Sequence, residues 1–277
     1  MIDDRVAVPP EDRMLGTDFR TGSPNWLDLA SPDTAAAAAF YGKVFGWEFV
    51  PAGPGSGGYG LFRFGGNTVA ALGPATDRGA RSAWTVHFQS PDVQATAAAV
   101  RAGGGSVRTG PVDVTGEGRL ARFTDPQGAP FACRQPGRTG GLETATTENA
   151  LEWVELHAPD PVAAIGFYAW VFGWRYVEEE ITGTAYRVLS VGEGDLEAGS
   201  FGGVAPQREG MGGASSAVPC WVPYFRVTDV DATASAVEGN GGVVLTPAAD
   251  VPGVGRTAWV RDPCGAVFAV LTSVPRT

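Results

Sequence analysis

The chain has 277 residues and a mass of 28.7 kDa, which at ~100–200 residues per domain predicts about two domains. Hydrophobic residues make up 44% and charged residues 18%, enough apolar material for sizeable cores, which excludes a largely disordered chain. Thirty acids against twenty bases give a net charge of −10, and no basic run appears, so a nucleic-acid-binding surface is not expected.

No apolar stretch approaches the roughly 20 residues that span a bilayer. The start, Met1-Ile2-Asp3-Asp4, is acidic where a signal peptide is basic. With three widely spaced cysteines, Cys133, Cys220 and Cys264, and no disulfide framework, the expected location is the cytoplasm. The only histidines are His87 and His157.

In chain order, residues 1–22 show no period and read as an N-terminal extension. Trp26 opens a short alternating run, a strand. Ser31 or Asp33 caps a helix that Pro32 introduces. Ala36, Phe40 and Val44, with Ala37, Tyr41 and Phe45, then give a broad apolar stripe that Gly46 stops. Trp84-Thr85-Val86-His87-Phe88 opens a second strand, followed by Pro91-Asp92 and an alanine-rich helix over Ala95–Ala102. Gly65-Gly66 and Gly103-Gly104-Gly105 are loops that fit no phosphate-cradling motif. Asp125-Pro126-Gln127-Gly128 is a turn joining two strands. Residues 135–149 form a linker by composition.

The pattern then repeats. Asn25 to Asp33 recurs as Glu152 to Asp160, and Phe40 to Trp47 as Phe167 to Trp174, both at an offset of 127. Trp84 maps to Trp221, Asp92 to Asp229, and Asp125-Pro126 to Asp262-Pro263, at an offset of 137. The second copy therefore holds ten extra residues, expected in the Gly/Ser-rich stretch Pro206 to Val218. Four strand–helix–strands units follow, two in each of the modules 23–134 and 150–277. The aromatics of Phe-Tyr-x-x-Val-Phe-Gly-Trp read as core packing.

The motifs Trp-x-Asp/Glu-Leu-x-x-Pro-Asp, Phe-Tyr-x-x-Val-Phe-Gly-Trp and Asp-Pro-x-Gly-Ala-x-Phe resemble the vicinal oxygen chelate superfamily, which includes glyoxalase I, bleomycin-resistance proteins and extradiol dioxygenases. More closely, the chain resembles tandem glyoxalase-like proteins of actinobacteria. The resemblance implies an α+β fold of two glyoxalase-like modules, each of paired βαβββ units forming a cupped mixed sheet. It also implies metal ligands at positions that fall here on Trp26, Thr85, Trp153, Val222, Ala132 and Ala269. None of these is a plausible ligand for a divalent ion, so no metal and no other cofactor is expected.

Because strand side chains alternate, the first cup is expected to hold Trp26, Asp28 and His87, and the second Trp153, Glu155, His157 and Tyr224. Trp221 joins Trp153, Tyr224 and Trp26 as an expected ligand contact. Asp28 and Glu155 either pair with an arginine, such as Arg63, Arg122 or Arg187, or act as general bases with His87 and His157. The cysteines read as packing residues. Two functions follow. One is a metal-free protein that binds a hydrophobic or aromatic small molecule, a secondary metabolite, for resistance, carriage or biosynthesis. The other is a cofactor-independent acid–base enzyme, an isomerase, lyase or cyclase. A metal-dependent glyoxalase or dioxygenase ranks below both. The second cup, with the more polar facing set, is the favoured site, in a monomer or homodimer.

Overall fold

The structure is a computed structural model that describes residues 16–77, 79–114, 116–181, 183–207 and 218–273. Among the described residues, every helix begins where an aspartate caps it. Asp33 accepts a hydrogen bond from the Ala36 amide at 2.9 Å, and Asp92, Asp160 and Asp229 do the same for their own helices. These side chains satisfy amides that the first helical turn leaves unpaired. Helix α1 (Thr34–Phe45) stops at Gly46 with φ 71°, and α3 (Pro161–Phe172) at Gly173 with φ 73°. A left-handed residue of this kind is nearly free only for glycine.

The first module contains β1 (Pro24–Ser31), α1, β2 (Glu48–Pro51), β3 (Gly60–Phe64), β4 (Asn67–Pro74), β5 (Ala83–Gln89), α2 (Val93–Ala102), β6 (Ser106–Val114), β7 (Gly118–Thr124) and β8 (Pro130–Pro136). The second contains β9 (Leu151–Ala158), α3, β10 (Arg175–Ile181), β11 (Thr184–Ser190), β12 (Ser200–Pro206), β13 (Cys220–Arg226), α4 (Val230–Gly239), β14 (Val243–Val251), β15 (Gly255–Arg261) and β16 (Val267–Ser273). Each module forms one eight-stranded mixed sheet. The order is β2-β3-β4-β1-β5-β8-β7-β6 in the first and β10-β11-β12-β9-β13-β16-β15-β14 in the second. The central pairs β1–β5 and β9–β13 are antiparallel and join two βαβββ units into one curled sheet. The α+β architecture is the one the repeat predicts.

Alternation sorts the side chains. Leu27, Leu29, Trp84, Val86 and Phe88 face a core that both modules share. Tyr41 stacks on Trp47 with centroids 5.6 Å apart and meets Phe268 of the second module at 5.6 Å. Tyr168 stacks on Trp174 at 4.9 Å and meets Phe131 of the first at 5.3 Å. The aromatic motif is therefore core, as read from the sequence, but it is core between modules.

A hydrogen-bond chain runs through each half of this interface. Trp84 Nε1 donates to the Tyr41 hydroxyl at 3.2 Å, which donates to Asp262 at 3.3 Å. Trp221 Nε1 donates to Tyr168 at 2.9 Å, which donates to Asp125 at 3.2 Å. The other oxygen of each aspartate accepts backbone amides of its own turn. Thus the Asp-Pro-x-Gly turns also anchor the opposite module. Trp221, expected to contact a ligand, lies instead in this core, because it alternates with Val222 and faces away from the cup.

The extra length of the second module is split rather than gathered in one loop. The β11–β12 connection spans 191–199 where β3–β4 needs only 65–66, and the β12–β13 connection spans 207–219 against 75–82. Residues 208–217, the centre of the expected insertion, and 1–15 of the N-terminal extension lie outside the described residues. The segment between β8 and β9 runs along the first module: Leu142 donates its amide to Asn25 and Glu143 to Thr68.

Candidate functional site

On the inner face of the second sheet, register brings Trp153, Tyr224, Ala269 and Trp259 into one row across β9, β13, β16 and β15. Glu155 and Val222 stand opposite each other in the next row, and His157 opposite Cys220 in the one beyond. Of these, Trp153, Glu155, His157, Tyr224 and Trp259, together with Tyr186, Leu271 and the β14–β15 rim, line a cavity of about 270 Å³. No lysine or arginine lines it among the described residues.

Glu155 is the hub. His157 Nε2 lies 2.6 Å from Oε1, the Tyr186 hydroxyl donates to Oε2 at 2.7 Å, and the Tyr224 hydroxyl donates to Oε1 at 3.1 Å. Two tryptophans complete the set: Trp153 Nε1 donates to Tyr186 at 2.9 Å, and Trp259 Nε1 to Tyr224 at 3.1 Å. The His157 ring meets Trp259 edge to face at 4.8 Å. Burial pushes the Glu155 pKa up, but His157 and the two tyrosines outweigh it, so the carboxyl sits below its ordinary value. Burial and the Glu155 charge push Tyr186 and Tyr224 well up, and push the Cys220 thiol to about 11. The carboxylate is therefore charged and its tyrosine donors are neutral. Cys220 is a protonated, unreactive thiol.

The first cup is built on the same plan, with an arginine laid into it. Asp28 accepts from Trp26 Nε1 at 3.0 Å and Tyr59 at 2.9 Å, and faces His87 Nε2 at 3.0 Å and Arg122 at 3.8 Å. Burial raises the Asp28 pKa, yet His87, Tyr59 and Arg122 bring it down to about 2. The buried Arg134 lays its guanidinium over Trp26, 4.7 Å from the ring centroid. So, of the arginines expected to pair with these carboxylates, Arg122 lies near Asp28, while Glu155 has no arginine partner among the described residues and Arg187 pairs with Glu178.

The structure thus brings Trp153, Glu155, His157 and Tyr224 together in one cup and Trp26, Asp28 and His87 in the other. The sequence reading missed Tyr186, Trp259 and Arg134. Tyr186 had a signal, since it stands 127 residues after Tyr59, at the offset of the first half-repeat.

The chain matches the Glyoxalase/Bleomycin resistance protein/Dioxygenase superfamily over residues 23–132 and 150–270. It belongs to that superfamily. Among relatives in the superfamily, it is 36% identical over 266 residues to CFP32 of Mycobacterium tuberculosis, whose name calls it a candidate glyoxylase; the match covers 94% of this chain and 98% of that one. It is 36% identical over 274 residues to the anthracycline biosynthesis protein DnrV of Streptomyces peucetius, covering 92% and 94%. The fold is shared with the Mn(II)-bound glyoxalase from Novosphingobium aromaticivorans, with a TM-score of 0.61 and 19% identity over 93% of this chain and 85% of that one. It is also shared with the 2,3-dioxygenase LapB from Pseudomonas sp. KL28, with a TM-score of 0.61 and 14% identity over 91% and 93%.

The superfamily's metal chemistry needs a set of donor side chains converging on one point. Here Ala132 pairs with His87 and Arg122, and Ala269 with Tyr224 and Trp259. Among the described residues no three His, Cys, Asp or Glu side chains are placed to hold an ion. Asp28 and Glu155 are each already engaged by tyrosine and histidine, and Glu152 is held by Arg226. The residues present do not fit a divalent cation. No helix among the described residues is long and apolar enough to cross a membrane.

Proposed function

We propose that the second module binds a hydrophobic or aromatic small molecule in its cup without the help of a metal, and that this serves secondary metabolism. The observation that carries the reading is the cavity itself. Trp153, Tyr186, Tyr224 and Trp259 present ring surface around a concave space, and their polar ends are tied into one network on Glu155. Pre-oriented rings with satisfied polar ends suit a flat ligand, because stacking then costs little ordering entropy. The resemblance to DnrV, named for anthracycline biosynthesis, supports a polycyclic aromatic ligand.

The test is titration with 1,4-dihydroxyanthraquinone, followed by quenching of tryptophan fluorescence, with and without EDTA. Saturable binding at one equivalent, unchanged by the chelator, is the expected result. Absence of saturable quenching, or its loss with EDTA, contradicts the proposal.

A second reading is favoured by the short Glu155–His157 contact at the cavity wall. A charged carboxylate holding an imidazole is the arrangement of an acid–base pair, and in this role the pair would move a proton to or from the bound molecule. Chemical change in the bound ligand over time, lost in Glu155→Gln, separates this reading from simple binding.

A further inference from the structure

The two cups differ at one register position in a way that points to the charge of the ligand. Arg134 on β8 pairs with Gln89 on β5 and with Leu120 on β7. Its counterpart on β16 is Leu271, which pairs with Arg226 on β13 and Thr257 on β15. Both lie on the inner face and both are buried; Arg134 stacks on Trp26, and Leu271 lines the same cavity as Trp153. In the first cup the guanidinium of Arg134 fills the space over Trp26. In the second, leucine is too short and uncharged to do so, and Leu271 and Trp153 both line open cavity.

The first cup is thus occupied by part of its own chain: a planar cation stacked on tryptophan, with the Asp28 carboxylate behind the ring edge at 3.0 Å. The second retains the tryptophan and the carboxylate, now Glu155, and lacks the cation. Its other acidic neighbour, Glu152, is neutralised by Arg226 through two contacts of 2.9 Å. His157 lines the cavity with Nδ1 lacking a hydrogen-bond partner in the structure.

Resting on the proposed binding function, we propose that the second cup selects an aromatic ligand bearing a positive charge, and that this charge occupies the place over Trp153 that Arg134 takes over Trp26. A cation gains from the faces of the tryptophan and tyrosine rings and from the nearby carboxylate. An anion meets that carboxylate with no lysine or arginine on the wall, among the described residues, to offset it.

The experiment is calorimetric titration of the wild-type protein with three probes on one ring system: (2-naphthylmethyl)trimethylammonium, 2-naphthylmethanol and 2-naphthoate. The cation is expected to bind about tenfold more tightly than the neutral alcohol, and the anion most weakly. Equal affinity of cation and alcohol, or preference for the anion, overturns the inference while leaving the aromatic-binding function standing. Failure of all three to bind overturns both. Leu271→Arg, which transplants the plug, is expected to lower affinity for the cationic probe at least about tenfold, with the circular dichroism of the wild type. A folded Leu271→Arg protein that binds the cation unchanged also overturns the inference. If that variant fails to fold, the charge series on the wild type decides alone.

Discussion

Asp28 and Glu155 occupy equivalent places, and each is charged because its neighbours overcome the cost of burial. For Asp28 this has a pH signature. Its pKa falls from 3.8 to about 2 on folding, so its stabilising contribution is complete above pH 3.8 and is lost as the pH falls toward 2. A shift of this size corresponds to about 2 kcal/mol. Asp28→Asn is expected to be less stable than the wild type by about that amount at pH 7, with the gap closing between pH 4 and pH 2. Urea denaturation across the range measures it, and a gap independent of pH contradicts it. These carboxylates were legible in the sequence because they share a strand face with a tryptophan in both repeats. Their partners were less so. Tyr186 sits on the β10–β11 hairpin and reaches Glu155 across the intervening β12, a contact between strands that alternation within one strand does not encode.

At the scale of elements, β12 shows how a strand serves the site by lacking side chains. Gly203 stands opposite Glu155 in the parallel pairing of β12 and β9, and a Cβ there would overlap the Tyr186 ring. The glycine lets the ring lie across the strand and deliver its hydroxyl to the carboxylate. Gly203→Ala is expected to displace Tyr186, leaving both Glu155 and Trp153 Nε1 short of a partner. An unmade buried hydrogen bond costs ~1–3 kcal/mol, so the variant should unfold at lower denaturant and bind the anthraquinone more weakly. Unchanged stability and affinity contradict this role. The helices and most strands were legible from caps, alternation and glycine stops. The loop lengths were not: a sequence offset totals the inserted residues, but only the strand register shows that they fall in two places.

At the scale of the molecule, the modules are repeats in sequence and a single body in packing. One core cluster spans both sheets, and each Asp-Pro-x-Gly turn receives a tyrosine from the other module. The whole chain is therefore expected to unfold in one cooperative transition. Tyr168→Phe is expected to cost ~1–3 kcal/mol, because it leaves Trp221 Nε1 without its acceptor and Asp125 Oδ2 without its tyrosine donor. Two separate transitions, or a neutral Tyr168→Phe, contradict this view. Sequence alone placed Trp221 in the cup for an understandable reason: a tryptophan opens each short run, but those of β5 and β13 are one residue out of phase with those of β1 and β9 relative to the inner face. The proposed division of labour rests on Arg134 lying over Trp26 in one cup while Trp153 lines an open cavity in the other. The most direct test of that claim is titration of Trp153→Ala and Trp26→Ala with 1,4-dihydroxyanthraquinone, read by quenching of the remaining tryptophans. Trp153→Ala is predicted to lose binding, by ~2 kcal/mol or more as for a stacked hot-spot tryptophan, while Trp26→Ala keeps wild-type affinity. Equal losses, or a loss confined to Trp26→Ala, would contradict the assignment of function to the second cup.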